Sequence, residues 1–360
     1  MNSNEECSPL SDNPDFEKPV FKNNRYENPP TFTNWSGLPG VQAFFKWRVM
    51  EKDESNIPKC KEELERNLPV TFLKKFEPTK FSKLYATWLG HATVLVDIQG
   101  IKFITDPLWC DRASFTSFAG PKRYRPSPLN IENLPELDFG VISHDHYDHL
   151  DVEAVQKIDK LHNGKIRWFV PKGFEEWMAT IGISNTEARP DKVAEMTWGE
   201  KKDLKIGDKT CTVWCLPAQH WCQRSTFDRN KRLWCSWAVK SPEKSFYFAG
   251  DTGFCDSEFK KIGEKLGPFD LAAIPIGAYE PNWFMKSQHI NPREAVQVHK
   301  LIKSKFSIGI HWGTYHMGSY EFYLQPREDL KKYAQEEGVS NFVTMSPGEI
   351  WEDQENQAFE

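Results

Sequence analysis

The sequence lacks an excess of positive charge: its 360 residues carry a formal balance of −5 at neutral pH. The broad basic face that phosphate-backbone binding needs is therefore missing, and nucleic acid is not an expected partner. It also lacks any C-x-x-C pair. Its eight cysteines (Cys7, Cys60, Cys110, Cys211, Cys215, Cys222, Cys235, Cys255) are scattered, which excludes zinc-finger and thioredoxin-like arrangements. Cys211 and Cys215 sit in a strand-like run, too far apart along an extended chain to bridge. Reduced thiols in a cytosolic protein are the simplest expectation. No apolar run approaches transmembrane length, so any membrane contact is expected to be peripheral. The opening residues, Met1-Asn2-Ser3-Asn4-Glu5-Glu6, are polar and acidic and do not read as a secretory leader. No internal repeat stands out.

What is present is a high aromatic content, 14%, compatible with a large core, an apolar cavity or a membrane-contacting surface. Residues 1 to about 36, rich in Asn, Pro, Glu and Lys, read as a flexible extension. A main domain is expected over residues 37–352, with a short tail over 353–360. Val41 to Met50 has a helical pattern in which Val41, Phe44, Phe45 and Val49 form an apolar stripe. Such a stripe most often packs on its own domain or on a partner subunit, and a basic, Trp-bearing helix can also lie in a membrane interface.

Leu84–Leu89, Thr93–Ile98 and Ile101–Thr105 read as consecutive strands, with Gln99-Gly100 as a tight hairpin turn. Gly120 to Pro126 is a basic loop that could meet an anionic surface. Further strands are expected over 210–216, 234–239, 245–249, 271–277 and 306–310, and a strand pair over 341–351. Asp151 is expected to cap a helix to about Leu161, and Asn291-Pro292 to open another.

One stretch stands apart. Ser143-His144-Asp145-His146-Tyr147-Asp148-His149-Leu150-Asp151 packs three histidines and three further carboxylate donors behind an apolar run, and imidazole and carboxylate are natural donors for divalent cations. In extended chain His144 and His146 point to one side, while Asp148 and His149 lie around the turn, so the spacing suggests two metals. Three later strands also end in a donor: His220, Asp251 and His311. His144, His146 and His220 would hold one ion, and Asp148, His149 and His311 the other, with Asp251 bridging. Such a pair traps a bridging hydroxide and hydrolyses phosphoesters or amides. Asp106 and His91 read as groups that orient the ligands. His299 and His162 lie in helical patterns and read as structural or exposed, and His316 is undecided.

The H-x-H-x-D-H motif at His144–His149, with its three downstream donors in order, resembles the metallo-β-lactamase superfamily. That resemblance implies an α/β fold of the αβ/βα sandwich type, two mixed β-sheets flanked by helices. Thr87-Trp88-Leu89-Gly90-His91-Ala92-Thr93, Gly120-Pro121-Lys122-Arg123, Gln219-His220-Trp221-Cys222, Phe248-Ala249-Gly250-Asp251-Thr252-Gly253 and His311-Trp312-Gly313-Thr314 further resemble the N-acyl-phosphatidylethanolamine-hydrolysing phospholipase D family, over roughly residues 25 to 350. Two departures are visible: Asp145 stands where the family has Asn, and Tyr315-His316-Met317-Gly318 differs.

The resemblance implies two Zn2+ per subunit and a homodimer on the surface of an intracellular membrane. It implies attack of the bridging hydroxide on phosphorus, releasing N-acylethanolamine and phosphatidic acid. Asp148, Asp251 and His289 would be the catalytic residues. Tyr147 and His289 would touch substrate near the phosphate, with Gln288 beside them. Imidazole chemistry lets His289 protonate the departing alkoxide; a purely positioning hydrogen bond is the equal alternative. The competing functions are a soluble lactonase-type hydrolase of small sugar phosphates and a non-catalytic, metal-bound lipid-binding protein.

Overall fold

The computed structural model describes residues 16–77, 83–116 and 118–353. Two seven-stranded mixed sheets pack on each other. The first has the order Ile350–Glu352, Leu84–Gly90, Thr93–Ile98, Ile101–Thr105, Phe139–Val141, Arg167–Pro171, Val193–Met196. The second has the order Lys201–Ile206, Lys209–Leu216, Ser236–Lys240, Ser245–Phe248, Leu271–Pro275, Ser307–Ile310, Phe342–Val343. In each sheet the first three pairings are antiparallel and the last three parallel. The two halves thus share a pairing scheme that no sequence repeat announces.

The period of two explains why the first strands are apolar along their whole length. Leu84, Ala86, Trp88, Val94, Val96, Phe103, Phe139 and Phe169 face the second sheet in one core. Tyr85, Leu89, Leu95, Ile104, Trp168 and Val170 face the other way, into a second core roofed by the helix Val152–Leu161. Gly140 is required by that outer core, because a Cβ there would lie 2.4 Å from the Trp168 ring. Gln99 and Gly100 both take the positive φ of a tight hairpin. Asp151 caps its helix by accepting from Ala154 N–H, and Asn291 and Glu294 form a full capping box.

Four expectations change. Residues 16–36 are not a flexible extension: Val20–Lys22 and Arg25–Glu27 form a hairpin, and Phe16 and Phe32 enter the main core. Residues 1–15 and 354–360 lie outside the described residues. The stretch 341–351 is not a strand pair, since Phe342–Val343 and Ile350–Glu352 close different sheets. The arginines of the basic loop turn inward: Arg123 donates to the carbonyls of Leu108 and Cys110, and buried Arg125 pairs with Glu65. Finally, the helix Val41–Met50 docks through Trp47, which stacks on Phe284, while the predicted stripe faces outward with Phe45 66% and Val49 74% exposed.

Candidate metal centre

The strands Ile101–Thr105, Phe139–Val141, Lys209–Leu216, Ser245–Phe248 and Ser307–Ile310 release Asp106, His144, His220, Asp251 and His311 at or just beyond their ends. Groups set on the ends of hydrogen-bonded strands are held more rigidly than groups on free loops. His91, Asp106 and His311 each take a positive φ (51°, 32° and 62°), a conformation that costs a non-glycine residue on the order of 1 kcal/mol and clusters at functional sites. All seven donors expected from the sequence come together, and all but His146 and Asp148 are buried as whole residues.

They form two sets. In one, His146 Nδ1 lies 2.9 Å from His144 Nε2 and 3.3 Å from His220 Nε2. In the other, His311 Nε2 lies 3.1 Å from His149 Nε2, and Asp148 Oδ2 lies 3.5 Å from each. Asp251 stands between them. Its Oδ2 is 3.1 Å from His149 Nε2, 3.8 Å from His220 Nε2 and 3.9 Å from His144 Nε2, and its Oδ1 is 3.1 Å from His311 Nε2.

The outward nitrogens decide what the inward ones can do. His220 Nδ1 donates to the Gln288 carbonyl at 2.9 Å, which can only accept. Asp106 accepts from His149 Nδ1 at 2.6 Å and from the Ser143 hydroxyl, and that hydroxyl accepts in turn from His144 Nδ1 at 2.9 Å. With Nδ1 carrying the proton, Nε2 of His144 and His220 presents a lone pair toward other acceptors; His149 Nε2, beside Asp251 and Asp148, either holds a second proton or, with a cation in the site, presents its lone pair as well. Acceptors converging at about 3 Å without hydrogens between them repel unless a cation sits among them. The donor set therefore fits a divalent cation, and Asp106 orients the donors from behind. Asp148 is held from outside by His91 Nε2, 2.9 Å from Asp148 Oδ2.

The electrostatics run the same way. Burial, aided by neighbouring imidazoles, holds His144 and His220 well below the ordinary imidazole value. At His311 burial also pulls downward, but Asp251 and Asp148 overturn it and push the ring up to about 9. His149 is raised well above its ordinary value against the same burial penalty, by Asp251 and Asp148. The carboxylates thus demand positive charge between the two sets.

His289 sits at the rim, its Nδ1 3.8 Å from Asp251 Oδ2 and buried without a partner. Burial lowers this ring to about 4. Gln288 is turned toward the His220 loop: its side-chain oxygen accepts from Trp221 Nε1 at 2.6 Å. Tyr147 donates its hydroxyl to the Arg224 carbonyl at 2.8 Å, and its ring lies under the Arg224 guanidinium, 4.1 Å from the ring centre.

Sequence reasoning missed Arg224 and Arg232. Arg224 donates to the carbonyls of Asp145 and Leu150, both at 2.9 Å, spanning the donor-bearing turn. Arg232 Nε pairs with buried Asp145 at 2.6 Å, and its other arm with Asp228. The spacing of Asp228 and Arg232 was the one local signal. Asp145, where the resembled family has Asn, is thus the carboxylate of a buried ion pair.

The chain matches a beta-lactamase superfamily domain over residues 102–312. It is 57% identical over 352 residues to N-acyl-phosphatidylethanolamine-hydrolyzing phospholipase D 1 of Caenorhabditis elegans, covering 96% of this chain and 97% of that one. It is 35% identical over 288 residues to the mitochondrial N-acyl-phosphatidylethanolamine-hydrolyzing phospholipase D of Saccharomyces cerevisiae, covering 79% of this chain and 58% of that one. Among solved structures, the metallo hydrolase Igni18 of Ignicoccus hospitalis shares the fold with a TM-score of 0.55 at 20% identity, over 76% of this chain and all (100%) of that one.

Proposed function

The chain belongs to the N-acyl-phosphatidylethanolamine-hydrolysing phospholipases D of the β-lactamase superfamily, and from that membership we propose the following reaction. The protein hydrolyses an N-acylated phosphatidylethanolamine between phosphorus and the oxygen of the N-acylethanolamine. The water oxygen becomes bonded to phosphorus, giving phosphatidic acid. The departing alkoxide takes up a proton and leaves as N-acylethanolamine.

His144, His146 and His220 would hold one Zn2+, and Asp148, His149 and His311 the other, with Asp251 shared. Bound there, the ions supply Lewis acidity toward the phosphoryl oxygens and lower the pKa of water. The protein's own groups do the rest. Asp106 and Ser143 fix the imidazole tautomers, and His91 steadies Asp148. His289 and Tyr147 flank the phosphate, with Gln288 locking the His289 segment to Trp221. The observation that supports this reading most is the position of Asp251, within 3.9 Å of inward nitrogens from both donor sets.

The lipid must reach this edge from a membrane. No helix among the described residues is long and apolar enough to cross one. The outward face of Val41–Met50 exposes Val41, Phe44, Phe45, Val49 and Met50, and Phe115, Phe118 and Phe227 are each at least 80% exposed. These support peripheral attachment to a membrane surface, which for the reaction proposed here would be an intracellular one. Polar replacement of Phe44 and Phe45 is expected to weaken liposome association; persistent binding by a protein that has turned from dimer to monomer would assign that face to the subunit contact instead.

The deciding experiment incubates the zinc-loaded protein with an N-acyl-phosphatidylethanolamine in mixed micelles and identifies both products by mass spectrometry. Phosphatidic acid and N-acylethanolamine, with 18O from labelled water in the phosphate, is the expected result. Glycerophospho-products or no turnover would reject the reaction.

A further inference from the structure

Residues 16–37 run along the outside of the three loops that carry His220, Asp251 and His289, and we infer that this strap positions the metal centre. The inference rests on the metal-hydrolase reading above. The strap is itself firmly seated. Phe32 stacks on Trp198 with ring centres 5.8 Å apart, Lys18 donates to the Trp198 carbonyl at 2.8 Å, and Tyr26 N–H donates to the Asn230 carbonyl at 2.7 Å. From that seat it makes a polar contact at or beside each of the three donors. The Asn28 side-chain amide donates to the carbonyl of His220 itself at 2.8 Å. The Asn34 amide donates to the Phe254 carbonyl at 2.7 Å, just beyond Asp251. The Gly37 carbonyl accepts from the Ser287 hydroxyl at 3.2 Å, just before His289.

The same loops are joined from the inner side by one residue. Gln219 N–H donates to Thr252 Oγ1 at 3.0 Å, its carbonyl accepts from Gly253 N–H at 2.7 Å, and its side-chain amide donates to the Ser287 carbonyl at 2.8 Å. There is no slack between them, because a Cβ at Gly253 would lie 2.3 Å from the Ser287 carbonyl oxygen. Gln219 ties the loops to each other, and the strap ties them to the body of the protein.

His220 shows the consequence. Its carbonyl is held by Asn28 and its Nδ1 by the Gln288 carbonyl, so its Nε2 is aimed with little freedom. Donor convergence tolerates errors of only about 0.5 Å. Asn28 touches no reacting atom; it is a positioning residue that acts through His220.

The test uses the full chain loaded with Zn2+. Asn28→Ala is expected to lower kcat about tenfold on micellar N-acyl-phosphatidylethanolamine with KM little changed, and to release zinc to excess chelator about tenfold faster. Asn28→Asp keeps the shape but removes the donor, and should lose at least as much. Leu330→Ala, a buried position of the helix Gln325–Glu336, controls for general destabilisation: it should lower Tm and leave kcat and zinc release unchanged. If Asn28→Ala fails to fold, Ser287→Ala carries the test at the His289 loop. Variants whose kcat and zinc release match wild type, or move only as far as Leu330→Ala moves them, overturn the inference. An inactive wild type would instead reject the hydrolase reading, while zinc release, measured without substrate, would still judge Asn28.

Discussion

The buried histidines of this protein fall into two regions that differ in how their nitrogens are spent. At the C-terminal end of the helix Val152–Leu161, His162 uses Nδ1 to donate to the Ile158 carbonyl and Nε2 to accept from Leu137 N–H, both at 2.8 Å. Behind the second sheet, His299 pairs Nδ1 with the Ser307 hydroxyl at 2.8 Å and lies over Phe342. At the strand ends, His144, His149 and His220 use only Nδ1 that way and leave Nε2 facing other acceptors. Burial alone therefore does not mark a site. A convergent set of ring nitrogens and carboxylate oxygens that calls for positive charge does.

The contrast can be broken at its strongest point first. Asp251→Asn removes the carboxylate shared by both donor sets, and turnover is expected to fall at least 10³-fold with circular dichroism unchanged; undiminished lipid hydrolysis would sink the bridging role. Chelator treatment should abolish activity and added zinc restore it. The same treatment should lower Tm for wild type and for His162→Ala alike, and by less for His220→Ala, which no longer binds one of the two ions tightly. Asp106→Asn leaves the His149 tautomer unspecified and should cost about 10- to 100-fold in metal affinity or activity, read by competition with a zinc indicator.

His162→Ala strands the Leu137 N–H and opens a small void. Denaturant titration should show a loss of about 2 to 3 kcal/mol with kcat intact. The smallest effect concerns His299, which burial lowers to about 4. Below the ordinary value of 6.5 the unfolded chain takes up a proton that the folded ring refuses until about pH 4, so stability falls on acidification through that window. His299→Gln should remove about 1 to 2 kcal/mol of the stability difference between pH 7 and pH 5; an identical pH slope in both proteins would refute the assignment.

What the sequence made legible follows from locality. His144 to His149 and the later His220, Asp251 and His311 could be found because each follows an apolar run, and strand ends of that kind meet at one end of the two packed sheets. Asn28 could not be found, since its partner His220 is 192 positions away and a lone Asn in a polar stretch carries no period. Phe16 and Phe32 gave no signal for the same reason: two aromatics in a proline- and asparagine-rich segment have no repeat, yet both enter the core. The stripe of Val41–Met50 was visible but its direction was not, because an apolar face does not say whether it meets protein or lipid. The stretch 341–351 misled because two short adjacent strands ordinarily pair with each other, and here a turn sends them to separate sheets.

That last crossing has a consequence for how the molecule is made. Leu84–Gly90 pairs on one side with Thr93–Ile98 and on the other with Ile350–Glu352. While the chain emerges from the ribosome, the strand that precedes His91 must wait, with one edge open, for almost the whole remaining chain to be synthesised. Unpaired edges recruit other strands, so the nascent first half needs protection from its neighbours until the second half is complete. A polypeptide stopped just short of Ile350 would retain every residue assigned to the metal centre and still carry the unfinished sheet edge that favours aggregation.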